Sequence, residues 1–170
     1  MSKVKIENVR LSFPSLFRKA VFNGSETKYE ATFLFPKDSA NHKKVQKAID
    51  DFIAEKFQSK PPKGIKITAL VDGDTKEYDG YEGMMALKGS STKRALVIDK
   101  DKSPLTEEDE RLYAGCYVNA IVEFWYSDHA LGGKQILANL LGVQFYKDGE
   151  AFSDGVAASV DDFDEIEDDF

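Results

Sequence analysis

Cysteine occurs once in this 170-residue chain, at Cys116. No internal disulfide can form, and no thiolate metal cluster can be built. Cys116 stands in an apolar run and reads as a small buried hydrophobe. Histidine is almost as scarce. His42 and His129 fall at a helix start and in a hairpin loop, outside any motif, and read as solvent-exposed side chains. G-x-S-x-G, H-E-x-x-H and paired C-x-x-C patterns are missing, and so is the G-x-x-x-x-G-K-[ST] loop that nucleotide hydrolysis needs. No apolar run reaches the roughly 18 residues of a membrane span. The opening MSKVKIENVRLSF lacks the apolar segment and cleavage site of a signal peptide. The expected setting is a reducing cytoplasm.

Basic residues are missing from one place in particular. Residues 161–170, DDFDEIEDDF, carry seven acids and no base. The net charge of −7 lies wholly there, because the rest of the chain holds 23 acids and 23 bases. That remainder is uneven. Residues 1–66 have 14 Lys/Arg against 7 Asp/Glu, and residues 67–160 have 9 against 16. A basic beginning and an acidic terminus suggest polyanion binding with an interaction tail.

The rest is rich in aromatic and β-branched residues at strand spacing. Val4–Phe13 reads as a first strand, whose apolar phase shifts near Asn8, as at a bulge, and which Pro14 ends. Residues 14–27 read as a loop turning at Asn23-Gly24. In the next strand, Lys28–Phe35, the residues Tyr29, Ala31, Phe33 and Phe35 share a face. A helix follows, capped by Asp38 or Ser39 and ended by Pro61-Pro62. Its stripe of Val45, Ile49, Phe52, Ile53 and Phe57 is core packing. Shorter strands are expected at Ile65–Val71, Met84–Lys88 and Arg94–Ile98, with a capped turn at Thr106–Asp109. The two strongest strands, Cys116–Tyr126 and Gln135–Tyr146, form a hairpin around Gly132-Gly133. The expected fold is mainly β with one long helix, an OB-fold-like, five-stranded, partly open barrel, with a β-sandwich as the alternative. Residues 1–158 form this domain, and 159–170 are a disordered acidic tail.

Two acidic stretches imitate calcium loops. Asp99, Asp101, Ser103 and Glu110 have EF-hand spacing, but Pro104 replaces the turn glycine. The stretch from Asp72 puts Lys76 at a ligand position. Both read as solvated loops, and neither metal nor cofactor is expected. Single-strand nucleic-acid binding needs cations along phosphates and aromatic faces for unstacked bases. Lys3, Lys5, Arg10, Arg18, Lys19, Lys28 and Lys37 flank the first two strands. Lys63 and Lys66 follow the helix, and Lys88, Lys93 and Arg94 surround a Gly-Ser-Ser turn. Tyr117 and Trp125 share a strand face with Asn119 and Glu123, and Tyr78 and Tyr81 stand in a glycine-containing loop. The tail keeps apolar side chains among its acids. Phe163, Ile166 and Phe170 are interleaved with Asp161, Asp162, Asp164, Glu165, Glu167, Asp168 and Asp169. Such a peptide can mimic a polyanion or dock into a basic, apolar-floored pocket.

The segments NVRLSFPSLF, KYEATFLFPK and YAGCYVNAIVEFWY, with the closing EIEDDF, resemble phage-encoded single-stranded DNA-binding proteins. That family has an OB-fold body and an acidic tail ending in phenylalanine. The resemblance implies non-catalytic, sequence-independent binding of single strands in phage DNA replication, recombination and repair, in the cytoplasm of the bacterial host. It also implies tail contacts with phage or host replication proteins; a homodimer and no membrane association complete the expectation. The usual OB helix lies between the third and fourth strands, whereas here the long helix follows the second recognisable strand. Three rival readings stand beside this one: a metal-dependent nuclease using Asp72, Asp74 and Asp79, a strand-annealing recombination protein, and an acidic interaction protein that never touches DNA.

Overall fold

The structure, a computed structural model, describes residues 3–58, 60–129, 133–152 and 166. In chain order the strands are β1 (Lys3–Ser15), β2 (Val21–Phe22), β3 (Ser25–Glu26), β4 (Tyr29–Pro36), β5 (Lys66–Ile67), β6 (Leu70–Asp72), β7 (Met84–Ser91), β8 (Leu96–Ile98), β9 (Tyr117–His129) and β10 (Gly133–Lys147). The helix α1 (Ala40–Phe57) lies between β4 and β7.

Five of the strands close a barrel, in the order β1, β4, β7, β10, β9 and back to β1. Counted along the chain, these are barrel strands one, two, three, five and four. All neighbours are antiparallel except β7 and β10, which meet in parallel at Ser90 and Asn139. The expected five-stranded barrel is therefore present, and this single bridge closes it. Gly89 permits the approach: a Cβ there would stand 3.3 Å from both Leu140 and Val122 side chains.

Alternation fills the interior. Val4, Ile6, Val9 and Leu11 of β1 meet Ala31, Phe33 and Phe35 of β4, and Val118, Ala120, Val122 and Phe124 of β9, all buried. Each buried phenylalanine, Phe33, Phe35 and Phe124 in these strands, contributes about 1.5–3 kcal/mol of transfer free energy. Cys116 is fully buried as well, and burial pushes its thiol above the ordinary range. The bulge expected near Asn8 occurs: the β1–β9 register shifts between Ile6 and Val9, with Asn8 at φ 55°.

Pro14 does not end β1, which continues to Ser15. A second register shift, between Ser12 and Ser15, puts Pro14 where its missing N–H breaks no ladder. The loop expected over residues 14–27 contains a small hairpin, β2–β3, outside the barrel. Ser39 caps α1 by accepting from the His42 N–H at 3.3 Å. His42 is half-buried, not solvent-exposed, because its Nδ1 accepts the Asp38 N–H at 2.9 Å. The His129 side chain lies outside the described residues.

The helix packs on β1 and β4. Asn41 ties it to the first bulge, donating to the Glu7 carbonyl at 2.9 Å and accepting the Glu7 N–H at 3.3 Å. It therefore sits between barrel strands two and three, and the connection from three to four holds β8 and one tight turn at Glu107–Asp109. The described body ends on Phe152, whose ring is 4% exposed and packs with Leu34, Tyr81 and Ala86. Gly80, at φ 84°, makes room for it; a Cβ there would stand 2.2 Å from the ring. No described helix is long and apolar enough to cross a membrane.

Candidate nucleic-acid interface

The outer face of barrel strands two and three carries an open groove of about 520 Å³. Its floor is Thr32 of β4 and Ala86 and Lys88 of β7, with Phe13 and Ser15 of β1 on one side. Val71 of β6 and the loop bearing Lys76, Tyr78 and Tyr81 complete the lining, with Tyr78 and Tyr81 against Phe13. In OB folds this face, with the loops joining strands one to two and four to five, takes up oligonucleotides.

Three aromatic rings meet in the groove wall. Phe13 and Tyr78 are edge-to-face with centroids 4.9 Å apart, and Tyr78 and Tyr81 are 5.2 Å apart at 67°. The two tyrosines divide in role. Tyr81 is only 3% exposed and shares a hydroxyl–hydroxyl hydrogen bond of 2.8 Å with buried Ser12, so it supports the wall from within. Tyr78 is 47% exposed and offers its ring to solvent. Phe13 reaches the groove because its backbone is left-handed, φ 46°. A bulky residue rarely adopts that conformation, which costs of order 1–3 kcal/mol and concentrates at functional sites.

The loop carrying Tyr78 is clamped at both ends. Lys37 binds the carboxylates of Asp72, at 2.8 Å, and Asp74. Asp74 also accepts the Gly83 N–H at 2.9 Å, and the Lys37 N–H donates to the Gly83 carbonyl at 3.2 Å. Bonding to Asp72 and then Asp74 raises the Lys37 ammonium above its ordinary pKa, and the same bonds hold both carboxyls below theirs. Two of the three carboxylates of the nuclease reading, Asp72 and Asp74, thus receive a lysine between them, and no three potential metal ligands converge among the described residues. The Asp99–Glu110 loop likewise satisfies itself: Asp101 accepts from Ser103 N–H and hydroxyl, and Asp99 faces Arg111 at 3.4 Å.

A second cluster sits where the connection from β1 to β4 meets the end of β7. Tyr29 lies under two cations, Lys19 Nζ at 5.9 Å and Arg94 Cζ at 6.0 Å from its ring centroid. Arg94 is fixed by donating to the Phe17 carbonyl at 2.9 Å. Beside it, Lys28 Nζ stands 6.0 Å from the Trp125 ring, which is half-buried on β9. Cations over aromatic faces, next to a groove, can pair phosphates and bases together.

The residues expected to bind DNA therefore sort by place. Tyr78, Tyr81 and Lys88 line the groove; Lys19, Lys28, Arg94 and Trp125 form the cluster, with exposed Lys93 adjoining. Lys88 is paired with Glu30 at 3.0 Å. Lys66, opposite Gln135, lies two residues before Thr68 of the groove edge, and Lys63 is exposed ahead of it. Arg18 pairs with Glu107 at 3.0 Å. The others are elsewhere. Lys3 and Lys5 pair in register with Glu123 and Ile121, on the far side of β1 from β4. Arg10 is structural: it donates to the Gly115 and Glu150 carbonyls, lies 4.1 Å from the Phe152 ring centroid, and has Tyr117 on another side. Lys37 is consumed by the loop clamp. Phe13, Tyr29 and Lys76 are groove or cluster residues that the sequence reading left out. Of the tail, only Ile166 is described, 89% exposed; Asp161–Glu165 and Glu167–Phe170 lie outside the described residues.

Known proteins resemble this chain in sequence and fold. The family model described as "Enterobacter phage Enc34, ssDNA-binding protein" matches residues 2–170. Protein p50 of Acyrthosiphon pisum secondary endosymbiont phage 1 is 44% identical over 174 residues, covering 96% of this chain and 94% of that protein. The single-stranded DNA-binding protein from bacteriophage Enc34, solved in complex with single-stranded DNA, superposes with a TM-score of 0.74 at 31% identity, over 89% of this chain and 90% of that one. Bacteriophage T7 gp2.5, at 12% identity and a TM-score of 0.53 over 94% of this chain and 99% of that one, shares the fold.

Proposed function

We propose that this chain, which belongs to the Enterobacter phage Enc34 single-stranded DNA-binding protein family, holds single-stranded DNA in the groove over β4 and β7. It is a phage single-stranded DNA-binding protein; that family is one of binding proteins and not of enzymes. The observation that carries the location is the groove itself: exposed Tyr78 beside Phe13, with Lys76 and Lys88 on the same surface. The phosphates lie along Lys76, Lys88, Lys19, Lys28 and Arg94, and bases rest on Tyr78, Phe13 and Tyr29. Neither device reads base edges, so binding is indifferent to sequence.

The chain acts in phage DNA replication, recombination and repair in the cytoplasm of the bacterial host. The body spans 1–158, and the tail, 159–170, competes with DNA for the groove and recruits replication proteins through Phe170. Phe152 supports the competitor role. It packs against Gly80, two residues from Tyr78, so the last described residue of the body stands beside the groove. The eighteen residues from 153 to 170 can extend at most about 60 Å, ample to return to it.

A gel shift with poly(dT) and with duplex DNA at two salt concentrations tests the reading. Single strands bind more tightly, and log affinity falls against log salt by about 0.7 per phosphate neutralised. Equal or tighter binding to duplex at matched salt overturns it.

A further inference from the structure

The hairpin β2–β3 plays no part in the barrel, yet it is built with care. Val21 pairs with Glu26 and Phe22 with Ser25. Asn23 and Gly24 turn it, both left-handed at φ 52° and 79°, the signature of a type I′ turn. Its base is stitched: Ala20 N–H donates to the Lys28 carbonyl and Thr27 N–H to the Ala20 carbonyl, each at 2.8 Å, and the Thr27 hydroxyl adds a bond of 3.1 Å to Ala20. An isolated two-stranded hairpin is marginal in water, so this reinforcement holds the tip in a defined place. At that tip Phe22 is 70% exposed and Val21 67%.

A large ring held that far into water stabilises no core. Its position supplies the use. Ala20, where the hairpin begins, lines the groove. Lys19, immediately before it, stands over Tyr29, and Lys28, immediately after it, stands over Trp125. The exposed ring is thus framed by two cations that already face aromatic rings. We propose that Phe22 is a base-stacking finger, which takes one unpaired base of a single strand as the strand leaves the groove past Lys19 and Lys28. This rests on the groove reading above. Phe22 needs no specific base, because every base has a flat face.

The test is Phe22→Ala, Phe22→Tyr and Phe22→Leu in the full chain, titrated with oligo(dT) of graded length and with poly(dT). Phe22→Ala loses about 5- to 150-fold in affinity, the range for one stacked base, on oligonucleotides above a threshold length and nothing on the shortest. The salt slope stays at the wild-type value, since no charge is removed. Phe22→Tyr binds like wild type, and Phe22→Leu behaves like Phe22→Ala. Wild-type affinity in Phe22→Ala at every length overturns the finger and leaves groove binding standing. So does a loss seen on poly(dT) but on no oligonucleotide holding a single copy, which assigns Phe22 to contacts between neighbouring copies. Full activity of Phe22→Leu, or loss of thermal stability in Phe22→Ala matching the loss of binding, overturns it as well. Failure of the wild type to bind oligo(dT) removes the groove reading itself.

Discussion

The hydroxyls of Ser12 and Tyr81 meet at 2.8 Å inside the groove wall, joining the first barrel strand to the loop that carries Tyr78. Ser12 is 2% exposed, so removing its partner leaves a buried polar group short of a bond. Tyr81→Phe should cost about 1–3 kcal/mol of stability and little DNA affinity. Tyr78→Ala should do the reverse, lowering single-strand affinity by about 1–3 kcal/mol with an unchanged melting temperature. Thermal denaturation and fluorescence anisotropy on the same two variants separate the roles.

Glu30 is an acid placed in the groove, and it holds Lys88 at 3.0 Å. Glu30→Gln frees that ammonium and removes a charge that repels phosphate, so single-strand affinity should rise, most at low salt. Lys88→Ala should lower affinity and make the log–log salt slope shallower by about 0.7. Lys37→Ala should leave the slope unchanged, because Lys37 is already bound to Asp72 and Asp74. Titrations of the three variants at four salt concentrations check this.

The barrel was legible because alternation is a local property of sequence. Val118, Ala120, Val122 and Phe124 had to face inward together, and the helical stripe around Val45 and Ile49 admitted one reading. The site was half legible. Lysines and tyrosines could be named, but which of them met could not, because Lys19, Tyr29 and Arg94 converge only through strand pairing. In the sequence Phe13 continues the apolar alternation of Val9 and Leu11; its left-handed backbone, which turns it to the groove, leaves no trace in that pattern. Arg10 read as a free cation and is held by the Gly115 and Glu150 carbonyls, partners far away in sequence. The hairpin at 21–26 is too short for periodicity to reveal, although Asn23-Gly24 marked its turn.

Trp125 is the only tryptophan, so intrinsic tryptophan emission reports one place. With Lys28 6.0 Å from its ring and a half-buried setting, it stands beside the path proposed for the DNA strand. Added oligo(dT) should change Trp125 emission saturably, and Lys28→Ala should weaken the binding that the signal follows. Emission indifferent to saturating oligo(dT) would remove Trp125 from the interface.

Deleting residues 161–170 removes seven carboxylates tethered beyond Phe152. Single-strand affinity should increase, chiefly at low salt, with the melting temperature retained. Deleting Phe170 alone keeps every acidic side chain, so DNA affinity should stay at the wild-type level while capture of a replication protein falls. Unchanged affinity of the ten-residue deletion at low salt contradicts the competitor role.

The groove over β4 and β7 is the centre of the account, and photo-crosslinking tests it most directly. Oligo(dT) carrying 5-iododeoxyuridine is bound at low salt, irradiated, and the modified residues are mapped by mass spectrometry. The account predicts adducts at Tyr78, Phe13, Tyr29 and Trp125. Adducts confined to Tyr117 and Tyr146, which do not line the groove, would contradict it.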